Sequence, residues 1–334
     1  MNINENYIPF WMKGNDNSIA IYSSVKCVRN FNSIIFPANK KQFNPTSVVK
    51  LVDDILSESL LDETIFRINL QQLSISELAM MQKVRILPNM RISELKKLTL
   101  YAYKTGKVFL LLNYKDHLTF YSYAQGASVK KAYNQLRKFV GLFDDKSFAK
   151  DENNRYLTSS LEYYGTGIKC FSTLTLPSLR IKNKLPDIIS SLSQNGYSYK
   201  KYFGFGSNLD DMIIIMNKDS LTISEKDIVN NFDHFLKLLQ EETERYPISN
   251  SELNSLQQKM KKLLKIEFLT FKSFMEAYFI IILLIENNKL KKIRISELNK
   301  TLSILIINLP KIVHTARVTK KLLKKLMNKL NLEQ

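Results

Sequence analysis

The chain has 334 residues, of which 45% are hydrophobic and 24% are charged, a composition typical of a globular protein with a packed core. That length is sufficient for one large domain and a smaller one. The formal net charge of +18 indicates an acidic partner such as a nucleotide, a nucleic acid or an anionic surface. Because the lysines are spread along the whole chain, the lysine bias of AT-rich coding is an equally good explanation of this charge.

Cysteine content and hydropathy exclude several classes of protein. Cys27 and Cys170 lie far apart, without the spacing of a zinc site or a disulfide framework. The first ten residues are polar and mixed, unlike a signal peptide. The most apolar run, residues 278–285, is much shorter than the roughly 20 residues that cross a bilayer. We therefore expect a cytoplasmic protein that does not bind a membrane.

The first two thirds of the chain mixes predicted helices with predicted strands. Each assignment depends on the period of the hydrophobic residues and on the turn residues that flank them. The pattern predicts a helix over residues 47–60, a strand over 64–70, a hairpin of strands 107–112 and 118–123 around the polar loop 113–117, a helix over 185–194 that ends at Asn195-Gly196, and a buried strand over 212–216.

The rest of the chain is predicted to be helical. Ser224 is an N-cap residue with carboxylates in the following turn, and an apolar helix face comes after it. Pro247 and the polar residues beyond it indicate a domain boundary. The last segment is rich in lysine, which indicates either a surface for an anionic partner or a solvated amphipathic helix. We predict an α+β domain over residues 1–247 and a helical domain over residues 252–334.

Short motifs along the chain resemble those of the bacterial protein-arginine kinases, a branch of the phosphagen (guanidino) kinases, which are ATP:guanido phosphotransferases. The order and separation of the motifs carry this resemblance, which implies the phosphagen-kinase-like (glutamine-synthetase-like) fold. That fold is a large antiparallel sheet flanked by helices, followed by a helical C-terminal domain. The motifs are WMKG at 11–14 with SSVKCVRN at 23–30, NYKDHLT at 113–119, YLTSS at 156–160 with GTGIK at 165–169, LPSL at 176–179, GFGS at 204–207 and SEKDIV at 224–229.

The resemblance implies transfer of the γ-phosphoryl group of ATP to protein arginine, a reaction that needs carboxylates to orient the guanidinium. The positions of the family's two catalytic glutamates hold Lys115 and Phe205, and that of its reactive cysteine holds Ser160. For charges about 4 Å apart at an effective dielectric of ~20, a lysine there replaces an attraction of roughly 4 kcal/mol by a similar repulsion. Asp210 and Asp211 near the GFGS motif are alternative carboxylates that no motif supports. We predict that no catalytic position is intact.

The phosphate-binding positions are better preserved. The resemblance places five family arginines at Ser24, Lys26, Thr119, Lys169 and Lys200. Three of these residues keep a positive charge, although lysine lacks the bidentate fork of arginine. These residues therefore form either a vestigial nucleotide site or a set of ordinary solvated lysines.

Three further positions bear on function. His117 is retained and is interpreted as a nucleotide-site residue, while the alternative for Asp116 and His117 is a turn residue and a packed hairpin histidine. A family histidine beside the nucleotide aligns with Val84. The family's phosphoarginine-binding motif aligns with Arg317 and Lys321, but its acidic partner is lost.

We interpret the chain as a pseudokinase, a degenerate protein-arginine-kinase-like protein with a regulatory or binding role. The alternative is an active ATP-dependent phosphotransferase that acts on protein arginine with a rewired site. ATP and Mg²⁺ are the expected cofactors if nucleotide binding is retained. Expected partners are a nucleotide and a protein, namely an active kinase, a stress-response protease system or a second copy of the chain. A role in nucleic-acid binding is supported by charge alone.

Overall fold

An antiparallel sheet forms the centre of the protein, which confirms the predicted α+β class. The computed structural model describes residues 9–15, 19–59, 65–103, 106–202, 212–218, 220–265, 271–290 and 294–307. Eight strands are present within these ranges. They are β1 (Ala20–Arg29), β2 (Ile65–Ile68), β3 (Thr99–Tyr103), β4 (Val108–Leu112), β5 (Leu118–Gln125), β6 (Ile168–Thr175), β7 (Tyr197–Lys201) and β8 (Met212–Asn217).

Helices surround the sheet and occupy most of the C-terminal part of the described chain. The N-terminal motif adds a 3₁₀ helix over Phe10–Lys13. The α-helices are α1 (Pro45–Ser57), α2 (Ile75–Lys83), α3 (Ile92–Leu95), α4 (Val129–Val140), α5 (Pro177–Ile181), α6 (Leu185–Gln194), α7 (Glu225–Glu244), α8 (Asn250–Lys265), α9 (Phe271–Glu286) and α10 (Ile295–Ile307).

Strand β1 lies in the interior of the sheet, whose order is β2-β3-β4-β5-β1-β6-β8-β7. It pairs with β5 on one side and with β6 on the other, both antiparallel. Side chains alternate between the two faces of a strand. Val25 and Cys27 therefore enter the core on one face, while Ser24 and Lys26 point to the other face, where a cavity opens.

Two hydrophobic clusters cover the two faces of the sheet. Helices α1, α4 and α7 pack on one face through residues such as Val52, Leu136 and Phe232. The 3₁₀ helix, α2 and helices α8 to α10 pack on the other face. There the fully buried Trp11 stacks on Tyr123 of β5, with ring centroids 4.2 Å apart.

The N-terminal motif is held by the C-terminal helices. Asn299 of α10 donates a hydrogen bond from Nδ2 to the carbonyl of Lys13 at 3.1 Å, and its Oδ1 accepts from the hydroxyl of Tyr278 at 2.6 Å. Pro247 lies between α7 and α8. Because helices α8 to α10 share one hydrophobic cluster with the sheet, the division into two domains stays a prediction.

The predicted elements agree closely with the structure. Helix α6 has the predicted bounds, and Gly196 beyond it has a φ of +79°. Helix α1 begins earlier than predicted because Asn44 caps it by accepting a hydrogen bond from the Thr46 amide. The lysine-rich last segment lies outside the described residues. Among the described helices, none combines the length and the apolar character needed to span a membrane.

A buried arginine joins the end of β1 to two other parts of the chain. Arg29 is 2% exposed, and its Nη1 donates to the carbonyls of Val28 and Thr166 at 2.8 and 2.9 Å. Its Nη2 contacts Glu225 at the start of α7 at 2.6 Å. The guanidinium also lies 3.5 Å from the centre of the Tyr156 ring. Removal of one partner from such a buried ion pair is strongly destabilising.

Gly167 lies against this arginine and provides a test of the network. It has a φ of +68°, and a Cβ atom there would lie 2.3 Å from Arg29 Nη1 and 2.6 Å from the Val28 carbonyl oxygen. Gly167→Ala should therefore lower the free energy of unfolding by about 3 kcal/mol or more, measured by urea denaturation. Gly196→Ala is the matched control, because its φ is +79° but a Cβ meets nothing within 4 Å. It should cost only about 1–2 kcal/mol; equal costs would contradict the prediction.

Candidate functional site

A cavity of about 550 Å³ opens on the sheet face that carries Ser24 and Lys26. Strands β1, β5, β6, β7 and β8 form its floor, and the segment after α2 forms a wall. Its charged lining is unbalanced, with four cations and a single carboxylate among the described residues. The cations are Lys26, Arg85, Lys169 and Lys200, the carboxylate is Glu162, and the tyrosines are Tyr22, Tyr121, Tyr123, Tyr163 and Tyr199.

Two of the predicted lysines are neighbours on the floor of the cavity. Lys26 of β1 is directly opposite Lys169 of β6 in the strand register. The ring of Tyr163 lies close to both amines, with its centre 4.4 Å from Lys26 Nζ and 5.6 Å from Lys169 Nζ. Lys169 is buried and forms a 3.2 Å ion pair with Glu162, which is largely exposed. Among the described residues, no carboxylate lies within ion-pair distance of Lys26.

The absence of such a carboxylate leaves the charge of Lys26 poorly stabilised. Burial lowers the pKa of Lys26 to about 8. The positive charges of Lys115 and Lys169 also lower this pKa, and Asp116 and Glu162 oppose them. A bound anion would reverse this loss of stabilisation, since an opposite charge nearby favours the protonated amine.

The remaining predicted phosphate-site residues occupy different positions. Lys200 of β7 lies at the edge of the cavity, where partial desolvation and repulsion from Arg85 lower its pKa. Ser24 lines the floor with a short hydroxyl side chain. Thr119 is 1% exposed on β5 opposite Val28, and it is not among the residues that line the cavity.

The loops that carry two predicted catalytic positions are held together by a buried network. Asn30, the residue after β1, donates from Nδ2 to Asp116 Oδ1 at 2.7 Å and accepts from the His117 amide at 2.8 Å. Asp116 Oδ1 also accepts from the Ser159 amide at 2.6 Å. The Ser159 hydroxyl donates to the Lys115 carbonyl at 2.6 Å. The hairpin loop and the loop before β6 therefore form one unit.

The side chains at these catalytic positions remain available to solvent. Lys115 is exposed and Ser160 is half-buried. The charge of Lys115 is close enough to affect Lys26. The buried Asp116 carboxylate already accepts two hydrogen bonds from the protein. Several predicted residues lie outside the described ranges, namely Phe205, Asp210, Asp211, Arg317 and Lys321.

His117 is packed inside the protein, away from the residues that line the cavity. Its ring stacks on Phe31 and Phe43, with centroids 6.1 and 5.7 Å apart. Nδ1 accepts from the Phe31 amide at 3.0 Å, which leaves Nε2 to donate to the Ile35 carbonyl at 2.9 Å. Burial lowers the pKa of His117 and keeps the ring neutral. This environment favours the packed hairpin histidine of the two sequence interpretations.

Two charged residues of the cavity were not predicted from the sequence. Arg85 follows Val84, the position aligned with the family histidine; Val84 is buried in the core, and its neighbour reaches the cavity. The available signal was an isolated arginine within the apolar run VRIL. Glu162 stands shortly after Ser160, where a single carboxylate in an irregular segment carries no distinctive pattern. Within the described residues, no group of three or more His, Cys, Asp or Glu side chains is placed to hold a metal ion.

Comparison with known proteins gives the family of this chain from its sequence. Residues 47–246 match the ATP:guanido phosphotransferase, C-terminal catalytic domain. The protein-arginine kinase of Clostridium acetobutylicum is 28% identical over 250 residues, which are 74% of this chain and 71% of that protein. The protein-arginine kinase of Bacillus subtilis is 26% identical over 231 residues, 67% of this chain and 63% of that protein. The match thus spans just under two thirds of the Bacillus protein.

Solved structures of guanidino kinases share the fold. A lombricine kinase superposes with a TM-score of 0.57 at 14% identity and covers 73% of this chain and 70% of its own. The duplicated taurocyamine kinase from Schistosoma mansoni, solved with transition state analog components, gives a TM-score of 0.59 at 15% identity. It covers 78% of this chain and 39% of its own. At these identities the likeness concerns the fold alone.

His117→Phe tests whether this histidine is structural. The variant keeps an aromatic ring but leaves the buried Phe31 amide without an acceptor, so unfolding free energy should fall by about 1–3 kcal/mol. Because the buried ring stays neutral while the unfolded histidine gains a proton, wild-type stability should decrease as the pH falls below about 6.5. The variant should have a flatter pH dependence in urea denaturation between pH 7 and 5. The exposed His234→Gln variant should retain the wild-type slope.

Lys26→Met tests the free-energy cost of burying the charged amine of Lys26 without an ion-pair partner. Removal of a partly desolvated charge should raise the unfolding free energy at pH 7 by about 1–3 kcal/mol. In the wild type, the unfolded chain binds more protons than the folded chain between the lowered pKa of about 8 and the ordinary value of 10.5. The titration of Lys26 alone should therefore raise wild-type stability as the pH increases from 7 to 9.5, and the stability gain of Lys26→Met over the wild type should shrink across that range. An equal gain in the exposed control Lys138→Met would contradict this explanation.

Proposed function

Because the chain belongs to the ATP:guanido phosphotransferase family, we propose that its cavity binds the phosphates of a nucleotide without transferring one to arginine. On this proposal the protein is a pseudokinase, a catalytically degenerate relative of the protein-arginine kinases with a regulatory or binding role. The observation that carries the proposal is the charge of the cavity, where four cations face a single carboxylate among the described lining residues.

The nucleotide part of the proposal is supported by the side chains of the cavity floor. Lys26 and Lys169 are adjacent point charges, which suit the oxygens of a polyphosphate. The tyrosines beside them offer aromatic faces for a base. A nucleotide would carry Mg²⁺ on its phosphate oxygens. Among the described lining residues, Glu162 is the carboxylate that is available to such an ion. In the absence of a nucleotide we expect no cofactor.

The loss of transfer is supported by the residues on the acceptor side. Lys115 is exposed where an arginine substrate would approach, and its charge repels a guanidinium. The Asp116 carboxylate is 3% exposed and is already bonded to Asn30 and Ser159. Ser160 offers a hydroxyl, which remains protonated where a thiolate would carry negative charge. None of these three residues provides a free carboxylate for a guanidinium.

Glu162 favours a second candidate function, an active phosphotransferase with a rewired site. Its carboxylate lines the cavity, is largely exposed and is bound on one side by Lys169. A carboxylate in this position can receive one edge of a guanidinium. On this alternative the substrate would be protein arginine, as the names of the curated relatives state for those proteins.

For the partners, we propose a protein with which this chain regulates phosphorylation in the cytoplasm. The candidates are an active protein-arginine kinase, a stress-response protease system and a second copy of this chain. Neither a membrane nor a nucleic acid is included, because the cationic side chains that the proposal uses lie inside a cavity rather than on an extended surface.

Nucleotide binding can be measured by thermal unfolding with and without MgATP. At a dissociation constant of about 0.5 mM, 5 mM nucleotide should stabilise the wild type by roughly 1.4 kcal/mol. Lys26→Gln/Lys169→Gln should abolish this stabilisation. Lys131→Gln/Lys138→Gln removes the same charge from α4, on the opposite face of the sheet, and should retain it. Stabilisation that survives in the cavity variant would contradict the proposed site.

Phosphotransfer is tested in parallel with labelled ATP, Mg²⁺ and an arginine-rich protein, with acid-labile phosphoarginine as the readout. The chain should give no signal above background, while the Bacillus subtilis protein-arginine kinase serves as the positive control. A signal that disappears in Glu162→Gln would replace the pseudokinase proposal by the active alternative. Addition of the chain to the positive control reveals whether it changes the rate of an active kinase.

A further inference from the structure

Arg85 enters the cavity from outside the sheet and has an unusual backbone conformation. The residue follows α2, and its φ of +66° is rare for a residue other than glycine, asparagine or aspartate. Its neighbours Val84 and Ile86 are buried in the hydrophobic cluster and fix the chain on both sides. The Tyr123 hydroxyl donates to the Arg85 carbonyl at 2.5 Å. Backbone strain that is held in this way is concentrated at functional sites.

The guanidinium of Arg85 is held in place by Tyr202. Among the described residues, no carboxylate forms an ion pair with it. It lies 4.8 Å from the centre of the Tyr202 ring, and Nη2 donates to the Tyr202 carbonyl at 3.3 Å. Its Nε is buried and has no hydrogen-bond partner. A guanidinium has five N–H donors. Tyr202 engages some of them through its carbonyl and its side chain, and the remaining Nη donors are available to an anion in the cavity.

Tyr123 connects Arg85 to Ser24 on the floor of the cavity. Ser24 of β1 is directly opposite Tyr123 of β5 in the register, and Tyr123 is the residue that holds the Arg85 carbonyl. Both Ser24 and Arg85 line the cavity. The short hydroxyl side chain of Ser24 on the floor thus shares this cavity with Arg85 on the wall.

We propose that Arg85 is a phosphate-binding residue that supplies, from the wall of the cavity, a guanidinium that the sheet lacks at Ser24. Its ligand is the polyphosphate of a nucleotide, which the lysines of the floor contact as point charges and Arg85 contacts through its planar fork. This inference rests on the proposed nucleotide binding, and it identifies which residue gives that binding its geometric specificity.

The test is calorimetric titration of the full chain with inorganic tripolyphosphate, with MgATP and with adenosine. Arg85→Gln should weaken binding of tripolyphosphate and of MgATP about tenfold or more and should leave adenosine binding unchanged. The salt dependence of tripolyphosphate binding should also become shallower, because one charged contact is lost. Arg91→Gln is the matched control, since Arg91 lies on the same segment, is largely exposed and does not line the cavity.

A double variant that moves the cation from position 85 to position 24 separates ligand binding from a structural role. Ser24→Arg in the Arg85→Gln background should recover at least part of the lost affinity, which a purely structural arginine would not allow. If Arg85→Gln does not fold, as judged by thermal melting, Arg85→Lys keeps the charge without the fork and should bind tripolyphosphate several-fold more weakly. If Arg85→Gln, or Arg85→Lys where the first does not fold, binds tripolyphosphate as tightly as the wild type, the proposed role of Arg85 is overturned.

Failure of the proposed nucleotide binding gives different results from failure of the role of Arg85. If the wild type binds neither tripolyphosphate nor MgATP, nucleotide binding itself is wrong, and the role of Arg85 is overturned with it. If Lys26→Gln/Lys169→Gln weakens binding while Arg85→Gln and Arg85→Lys do not, the nucleotide site stands and only the inference about Arg85 fails.

Discussion

The arrangement of the site depends on a buried charge at the end of the central strand. Arg29 contacts the carbonyl of Thr166 before β6 and the carboxylate of Glu225 at the start of α7. Tyr133 of α4 completes the cluster by donating its hydroxyl to Glu225 at 3.1 Å. Three segments that are distant in the sequence are thereby fixed to the strand whose opposite face carries Ser24 and Lys26. Desolvation of an ion pair is costly, so such a pair is better explained by specificity than by net stability.

The residue after this arginine extends the same constraint to the loops of the site. Asn30 bonds Asp116 and the backbone of His117, and Asp116 bonds the loop that contains Ser160. The two loops beside the cavity are thus held by one buried network, and they carry Lys115 and Ser160. Function depends on the few groups that such a scaffold presents, rather than on the fold itself.

The fold was predictable from the sequence because its signals are local and repeated. The apolar run of residues 212–216, the Asn195-Gly196 stop and the Ser224 cap each specify an element without reference to the rest of the chain. The lysines of the cavity were predictable by position, since Lys26 and Lys169 stand in ordered motifs and meet across two strands. The packing of His117 was visible only as an alternative, because a histidine in a polar loop carries no signal of the aromatic rings around it.

Arg85 and Glu162 mark the limit of sequence reasoning. Both are single charges in irregular segments, and their meaning depends on long-range placement that no local pattern encodes. Arg85 in particular lines the cavity from a backbone of positive φ, which sequence preferences do not favour for arginine.

The docking of the N-terminal motif on α10 has a consequence for how the chain folds. The bond between Asn299 and the Lys13 carbonyl joins residues 286 positions apart, and β1 likewise pairs only with strands that follow much later in the sequence. Contacts of such separation form slowly, since a long loop must close before they are made. During synthesis Trp11 would emerge well before α10 and would lack the contacts of that helix until α10 had left the ribosome. Until then the segment is exposed to chaperones and to misassociation.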